Sequence, residues 1–182
     1  MQDLKSTAAY SIIGVLLLIS IYFRQVLASL IIALPLLMSL AWTFGMTYLF
    51  IGSLNMITVG LFAILFGLGI DFGIHIFARY REARRRGTDV EHALTETVVH
   101  TGSALTTTAV TTAIAFYSLL ITDFKGFSEF GFIVGTGIIF SLVAMIVICP
   151  AFIVLGERLR IVRLARQDAP VHLLRRGTYP AP

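Results

Sequence analysis

Five long apolar runs separated by short polar breaks order the 182-residue chain, at about 8–23, 26–50, 57–77, 103–121 and 127–155. Each is long enough to cross a hydrocarbon core of ~30 Å as a helix. The runs are continuously apolar rather than alternating, and a segment in lipid must satisfy its own backbone polar groups. A barrel is therefore excluded, and the pattern predicts an all-α membrane protein, a bundle of five transmembrane helices. Between the third and fourth runs the period changes. Val90, Ala93, Leu94, Thr97 and Val98 recur at helical spacing behind Thr88 and Glu91, which have the separation of a capping box. This predicts a short amphipathic helix at about 88–100, lying on the membrane surface.

The breaks define the connections. Only Arg24 and Gln25 part the first two runs, so these form a tight hairpin. Pro35 falls inside the second run and is expected to kink it, and Pro150 is expected to end the fifth. Trp42, Tyr48 and Phe50 approach the turn at 51–56 as interfacial aromatics. Residues 1–157 thus read as one transmembrane domain, followed at 158–182 by a basic tail with Pro170, Pro180 and Pro182, little periodicity and an expectation of disorder.

Composition agrees with the pattern: 57% of residues are hydrophobic and 13% charged. Of the 14 basic residues, all but Lys5 and Lys125 fall on one side of five alternating spans. By the positive-inside rule that side is cytoplasmic, with the amino terminus outside and the carboxyl tail inside. The net charge of +4 follows from this asymmetry and from contact with anionic membrane lipids, so no nucleic-acid partner is implied. The single Cys149 allows neither an internal disulfide nor a cysteine-based metal cluster. No cleavable leader precedes the first run, so a chain that begins outside is expected to be a fragment of something longer.

One acid stands clearly inside a span. Asp71 lies in "AILFGLGIDFGIHIFARYREARRR", where burial of a charge costs about 2.5–3.5 kcal/mol on insertion scales. At 100° per residue Gly60, Ile64, Gly67, Asp71 and His75 share a face of the third helix, with Gly69 and Gly73 on a second small-residue ridge. Low dielectric disfavours the ionised form of a carboxyl, so neighbours can switch such a group between its two states. Asp71 is on this ground a candidate proton carrier. His75, one turn nearer the arginines, is placed to pass a proton on. In the fourth run Thr107 and Thr111, and Thr108 and Thr112, lie four apart. Thr107, Thr108 and Thr111 are candidate hydrogen-bond partners for the ionised acid, against the commoner alternative that each bonds its own helix. Gly131, Gly135 and Gly137 mark the fifth helix as closely packed, and the third helix is expected at the centre of the bundle. No nucleophile–base pair, metal-ligand cluster or phosphate loop is present, so neither enzyme activity nor a cofactor is expected.

The Gly67-x-x-x-Asp71 element, "GIDFGIHIFARYREARRRG", "EHALTETVVHTGSALTTTAVTTAIAF" and "DFKGFSEFGFIVGTGIIFSLVAMIVICPAFIVL" occur in an order that resembles the resistance-nodulation-division transporters, specifically the MMPL branch and its hopanoid-transporter relatives. The resemblance covers most of residues 5–157. It implies helices two to six of one transporter half, in the layout of a sterol-sensing domain, in a bacterial inner (plasma) membrane. The function it implies is proton-coupled export of lipids or other hydrophobic compounds. The partners it implies are a first helix, a porter domain and a second half lying outside this chain, or a second copy of the chain. Phe72 stands where MMPL proteins often carry a tyrosine after the acid, so any relay here uses His75 or a threonine instead. The other functions such a scaffold admits are a lipid-binding module that does not pump and a proton-driven auxiliary of protein secretion.

Overall fold

The computed structural model describes Gly14 and residues 26–52 and 56–158. The first apolar run and the tail beyond Arg158 therefore lie outside the described residues. Those described are helical, with no strand among them, in the order α1 (Val26–Ile51), α2 (Met56–Arg85), α3 (Val90–Glu96), a π-helical turn (Thr97–Thr101), α4 (Gly102–Tyr117), a 3-10 turn (Ser118–Ile121) and α5 (Lys125–Arg158). Four stretches are long and apolar enough to cross a membrane: Ser29–Ile51, Ala63–Arg85, Val90–Ile121 and Lys125–Arg158. With the apolar composition, they make the chain a multi-pass membrane protein.

The helices begin and end as their sequences dictate, with three differences. Gly87, at φ +85°, closes the α2–α3 turn in the left-handed region that favours glycine. The cap of α3 is Asp89 rather than Thr88: its carboxylate accepts the Glu91 N–H, while the Thr88 N–H donates to the Ala83 carbonyl. A carboxylate beside the free amides of a first turn is favoured over a hydroxyl by the helix dipole. Second, the helix expected at 88–100 runs on through the π turn into α4 without leaving helical geometry, because the Thr97 and Gly102 backbones stay in the right-handed region. Third, α5 continues through Pro150 to Arg158. The lost N–H costs one bond, which a helix covered by neighbours tolerates.

At the centre of the bundle stands α5, not α2: α1, α2 and α4 all pack against it, and α2 and α4 scarcely touch each other. Glycines on two helices explain the closeness. A methyl on Gly69 of α2 would lie 2.5 Å from Leu36 Cδ1 and 2.9 Å from Ser141 Oγ, and one on Gly73 would run into Ile32 and Met145. On α5, Gly131 takes the Phe116 carbonyl, Gly135 takes the Tyr117 ring, and Gly137 takes Leu65. Small residues at such crossings let backbones approach where no hydrophobic effect drives helices together.

One polar seam runs through this core. Ser39 and Ser141 are buried and share a hydrogen bond of 3.1 Å between α1 and α5. Since Ser39 spends its proton on the Leu36 carbonyl (2.7 Å), Ser141 is the donor. Thr43 and Thr47 continue the seam, each donating to the carbonyl four residues back.

Candidate functional site

The outward side of α2 carries the candidate chemistry. Its inward side buries Leu65, Phe66, Ile70, Phe72, Ile76 and Phe77, and this leaves Ile64, Gly67, Asp71 and His75 on the surface of the bundle. Asp71 and His75 stand one helical turn apart on this face, within the candidate span, and neither has a hydrogen bond or ion pair with any described residue. Among the described residues, nothing lies within 4 Å of where a Cβ on Gly67 would stand. The surroundings of Gly60 lie outside what is described.

The threonines do not meet the acid. Thr107, Thr108 and Thr111 lie on exposed faces of α4, and their hydroxyls donate to the carbonyls of Ser103 (3.2 Å), Ala104 (3.1 Å) and Thr107 (2.9 Å). In a helix with few neighbours an unpaired hydroxyl finds its nearest acceptor one turn back. Only a narrow line of α4, Gly102, Leu105, Ala109 and Ala113, is buried. Tyr117 adds a hydroxyl contact to Thr136 of α5 at 3.0 Å.

Below Asp71, toward the arginines, α2 ends in a set of ion pairs. Arg84 grips Glu157 of α5 with two nitrogens (Nε to Oε1 3.0 Å, Nη2 to Oε2 3.4 Å) and donates to the Thr88 carbonyl at 2.8 Å. Arg79 donates to Glu96 at 2.8 Å and to Glu82 at 3.0 Å, and Arg86 reaches both Glu82 and Glu96. Forked contact of this kind is the stronger geometry for arginine. Of the three acids at 89, 91 and 96, Glu96 is the one paired with these arginines. The Glu157 contact spans 73 positions of sequence, and no local spacing could have signalled it. Between α3 and the end of α5 lies a cleft of about 470 Å³, lined by Asp89, Val90, Leu94, Val154, Glu157 and Arg158 among others.

The opposite end is rich in aromatics, with Asp123 and the Lys125–Glu129 pair (3.6 Å) beside them. Tyr48, Phe50, Ile121, Phe124 and Phe127 are exposed there, with Phe50 packed on Phe132 at 5.6 Å. Among the described residues, Asp71 is thus an exposed carboxyl on the apolar stretch of α2 between the aromatic end and the arginine end.

Comparison with known proteins places this arrangement. The chain is 38% identical to the membrane protein MJ1562 of Methanocaldococcus jannaschii over 152 residues, 84% of this chain and 39% of that one. It is 33% identical over 152 residues to the hopanoid transporter HpnN of Burkholderia multivorans, covering 82% of this chain and 17% of the relative. To the hopanoid transporter HpnN of Rhodopseudomonas palustris it is 36% identical over 123 residues, 67% of this chain and 14% of the relative. The chain thus spans well under half the length of these relatives. The MMPL family pattern matches residues 1–179, from before the first apolar run into the basic tail, and the chain belongs to the MMPL family.

Proposed function

We propose that this chain is the proton-coupling transmembrane part of an exporter of lipids or other hydrophobic compounds. The observation that carries the reading is the outward Asp71 with His75 one turn away. A charge facing lipid at that depth costs about 2.5–3.5 kcal/mol, and none of the described residues partners it. Such a face calls for a covering element. Relatives that run well beyond the matched segment supply the candidates: a second transporter half, or a second copy of this chain on the same face.

In this reading a proton enters from the aromatic side and neutralises Asp71. His75 passes it toward the arginine-bearing end, which the positive-inside rule makes cytoplasmic. Neutralisation changes what Asp71 can accept from the covering element, and so rocks α2 against it. One charge crossing 100 mV supplies ~2.3 kcal/mol, enough to bias such an equilibrium by more than tenfold. A porter domain outside this chain would convert the motion into transport. The relatives named as hopanoid transporters support a lipid cargo.

The test uses inverted membrane vesicles from cells expressing the full-length transporter that contains this segment, with a fluorescent lipid placed in the outer leaflet. An imposed pH gradient should accelerate lipid translocation, and a protonophore should abolish the acceleration. Lipid that binds to the protein with no gradient-dependent movement would replace this reading with that of a lipid-binding module.

A further inference from the structure

The cleft of about 470 Å³ between α3 and the end of α5 takes no part in the site around Asp71. Its floor is apolar: Val90 and Leu94 of α3 and Val154 of α5 are each half-buried there. Its rim is acidic, with Asp89, Glu91 and Glu157, and among the described residues Arg158 is the one cation lining it. Two of the acids are already engaged. Glu157 is held by Arg84, and Asp89 accepts the Glu91 N–H as the cap of α3. The exposed Glu91 carboxylate, by contrast, has no hydrogen bond or ion pair among the described residues. An occupant of this cleft has to be cationic where it meets Glu91 and apolar where it meets the floor, because an exposed ion pair alone contributes little.

The chain carries such a segment at the right place. The last described residue of α5, Arg158, itself lines the cleft, and the sequence continues "LRIVRLAR" from Leu159 to Arg166. Arg160, Arg163 and Arg166 recur every third residue among Leu159, Ile161, Val162 and Leu164, with no acid before Asp168. Two to five residues of chain span up to about 7–17 Å, so Arg160 and Arg163 come within reach of the rim that Arg158 shares with Glu91. A segment tethered this closely is present at an effective concentration on the order of mM, which favours it over any free cationic peptide. We propose that residues 159–166 dock in this cleft, with their arginines on the rim at Asp89 and Glu91 and their apolar side chains over Val90, Leu94 and Val154. The docked segment covers the apolar floor and sets the direction in which the chain leaves the bundle. It makes no use of Asp71 or His75, and so stands independently of the proton reading above.

Hydrogen exchange of the full chain in nanodiscs of neutral phosphatidylcholine tests the docking, with the free peptide of residues 159–182 as reference. Amides of 159–166 should exchange about tenfold more slowly in the chain than in the peptide. Glu91→Lys should return them to the peptide's rate. Glu91 is exposed and its carboxylate holds nothing among the described residues, so this variant folds. Replacing Arg160, Arg163 and Arg166 together by glutamine, with the reference peptide changed alike, should remove the protection as well. Protection that survives either change would overturn the proposal, since a mere continuation of α5 past Arg158 would behave in that way. Protection that appears only when anionic phosphatidylglycerol is added, and that Glu91→Lys leaves in place, would assign the arginines to the membrane surface instead. Exchange at the peptide's rate in the wild-type chain would refute the docking outright. No pH gradient is applied and no lipid movement is read, so failure here leaves the proton reading untouched.

Discussion

Gly67 and Gly69 are two residues apart on α2 and face opposite environments, so the same small substitution should have opposite consequences. An alanine methyl at 69 would sit 2.5 Å from Leu36 Cδ1, 2.9 Å from Ser141 Oγ and 3.2 Å from Ser141 Cβ. Leu36 is wholly buried, so its methyl can shift only within the core. Ser141 can turn away only by giving up its 3.1 Å bond to Ser39. Overpacking of this kind costs about 1–3 kcal/mol. The lost interhelical bond adds about 0.6 kcal/mol, up to ~1.7, and alanine's better helix propensity returns up to ~1. Gly69→Ala should therefore destabilise the bundle by about 1–3 kcal/mol. At Gly67 nothing lies within 4 Å, so Gly67→Ala should be neutral or slightly stabilising. Reversible unfolding in mixed micelles with increasing denaturing detergent measures both. Equal losses at the two positions would show that the outward face is covered within the bundle, and the placement of Asp71 on an open surface would fall with it.

Three further outcomes follow from the same geometry. Glu157→Gln removes one partner of a forked, part-buried pair and should cost about 1–2 kcal/mol in that unfolding assay, whereas an unchanged midpoint would show that Arg84 gains nothing from it. Replacing Thr107, Thr108 and Thr111 together by valine should change stability by less than about 0.5 kcal/mol, because their hydroxyls serve only their own helix; a larger loss would reveal a contact within the bundle. In intact cells an impermeant thiol reagent should label Lys125→Cys and miss Arg85→Cys, and the reverse pattern would invert the orientation and the direction of proton flow.

Much of this fold was legible in the sequence because membrane helices announce themselves by apolar length, and the segments at 26–50, 57–77, 103–121 and 127–155 each fall largely within a described helix. What the sequence could not reveal is which face of each helix finds a neighbour. Gly67 and Gly69 read alike as small residues, yet among the described residues one has nothing within 4 Å and the other meets Leu36 and a serine on α5. The central place of α5 depends on three helices converging on it, and no periodicity within α2 or α5 distinguishes a central helix from a flanking one. The threonines of α4 followed the commoner alternative because a helix with a single neighbour has few acceptors outside itself. Glu157 was invisible for a different reason: its partner is brought near by the packing of α2 on α5, not by spacing along the chain. The π turn has no composition of its own, since "TVVHT" would suit an α-helix equally well. The acid itself stood out at once, as an isolated charge in an apolar run does, though nothing in that run indicated that it points out of the bundle.

The central claim is that Asp71 is kept in the membrane because it gains and loses a proton. Asp71→Asn preserves shape and most hydrogen-bonding capacity but cannot titrate, so it isolates that property. The decisive measurement is gradient-driven lipid translocation in vesicles containing the full-length transporter with the Asn substitution, at expression and detergent stability matched to wild type. The account predicts that the variant inserts and folds normally and loses the gradient-dependent component, with His75→Gln losing less because water near the interface can replace the imidazole. Wild-type translocation by a well-folded Asp71→Asn protein would contradict it.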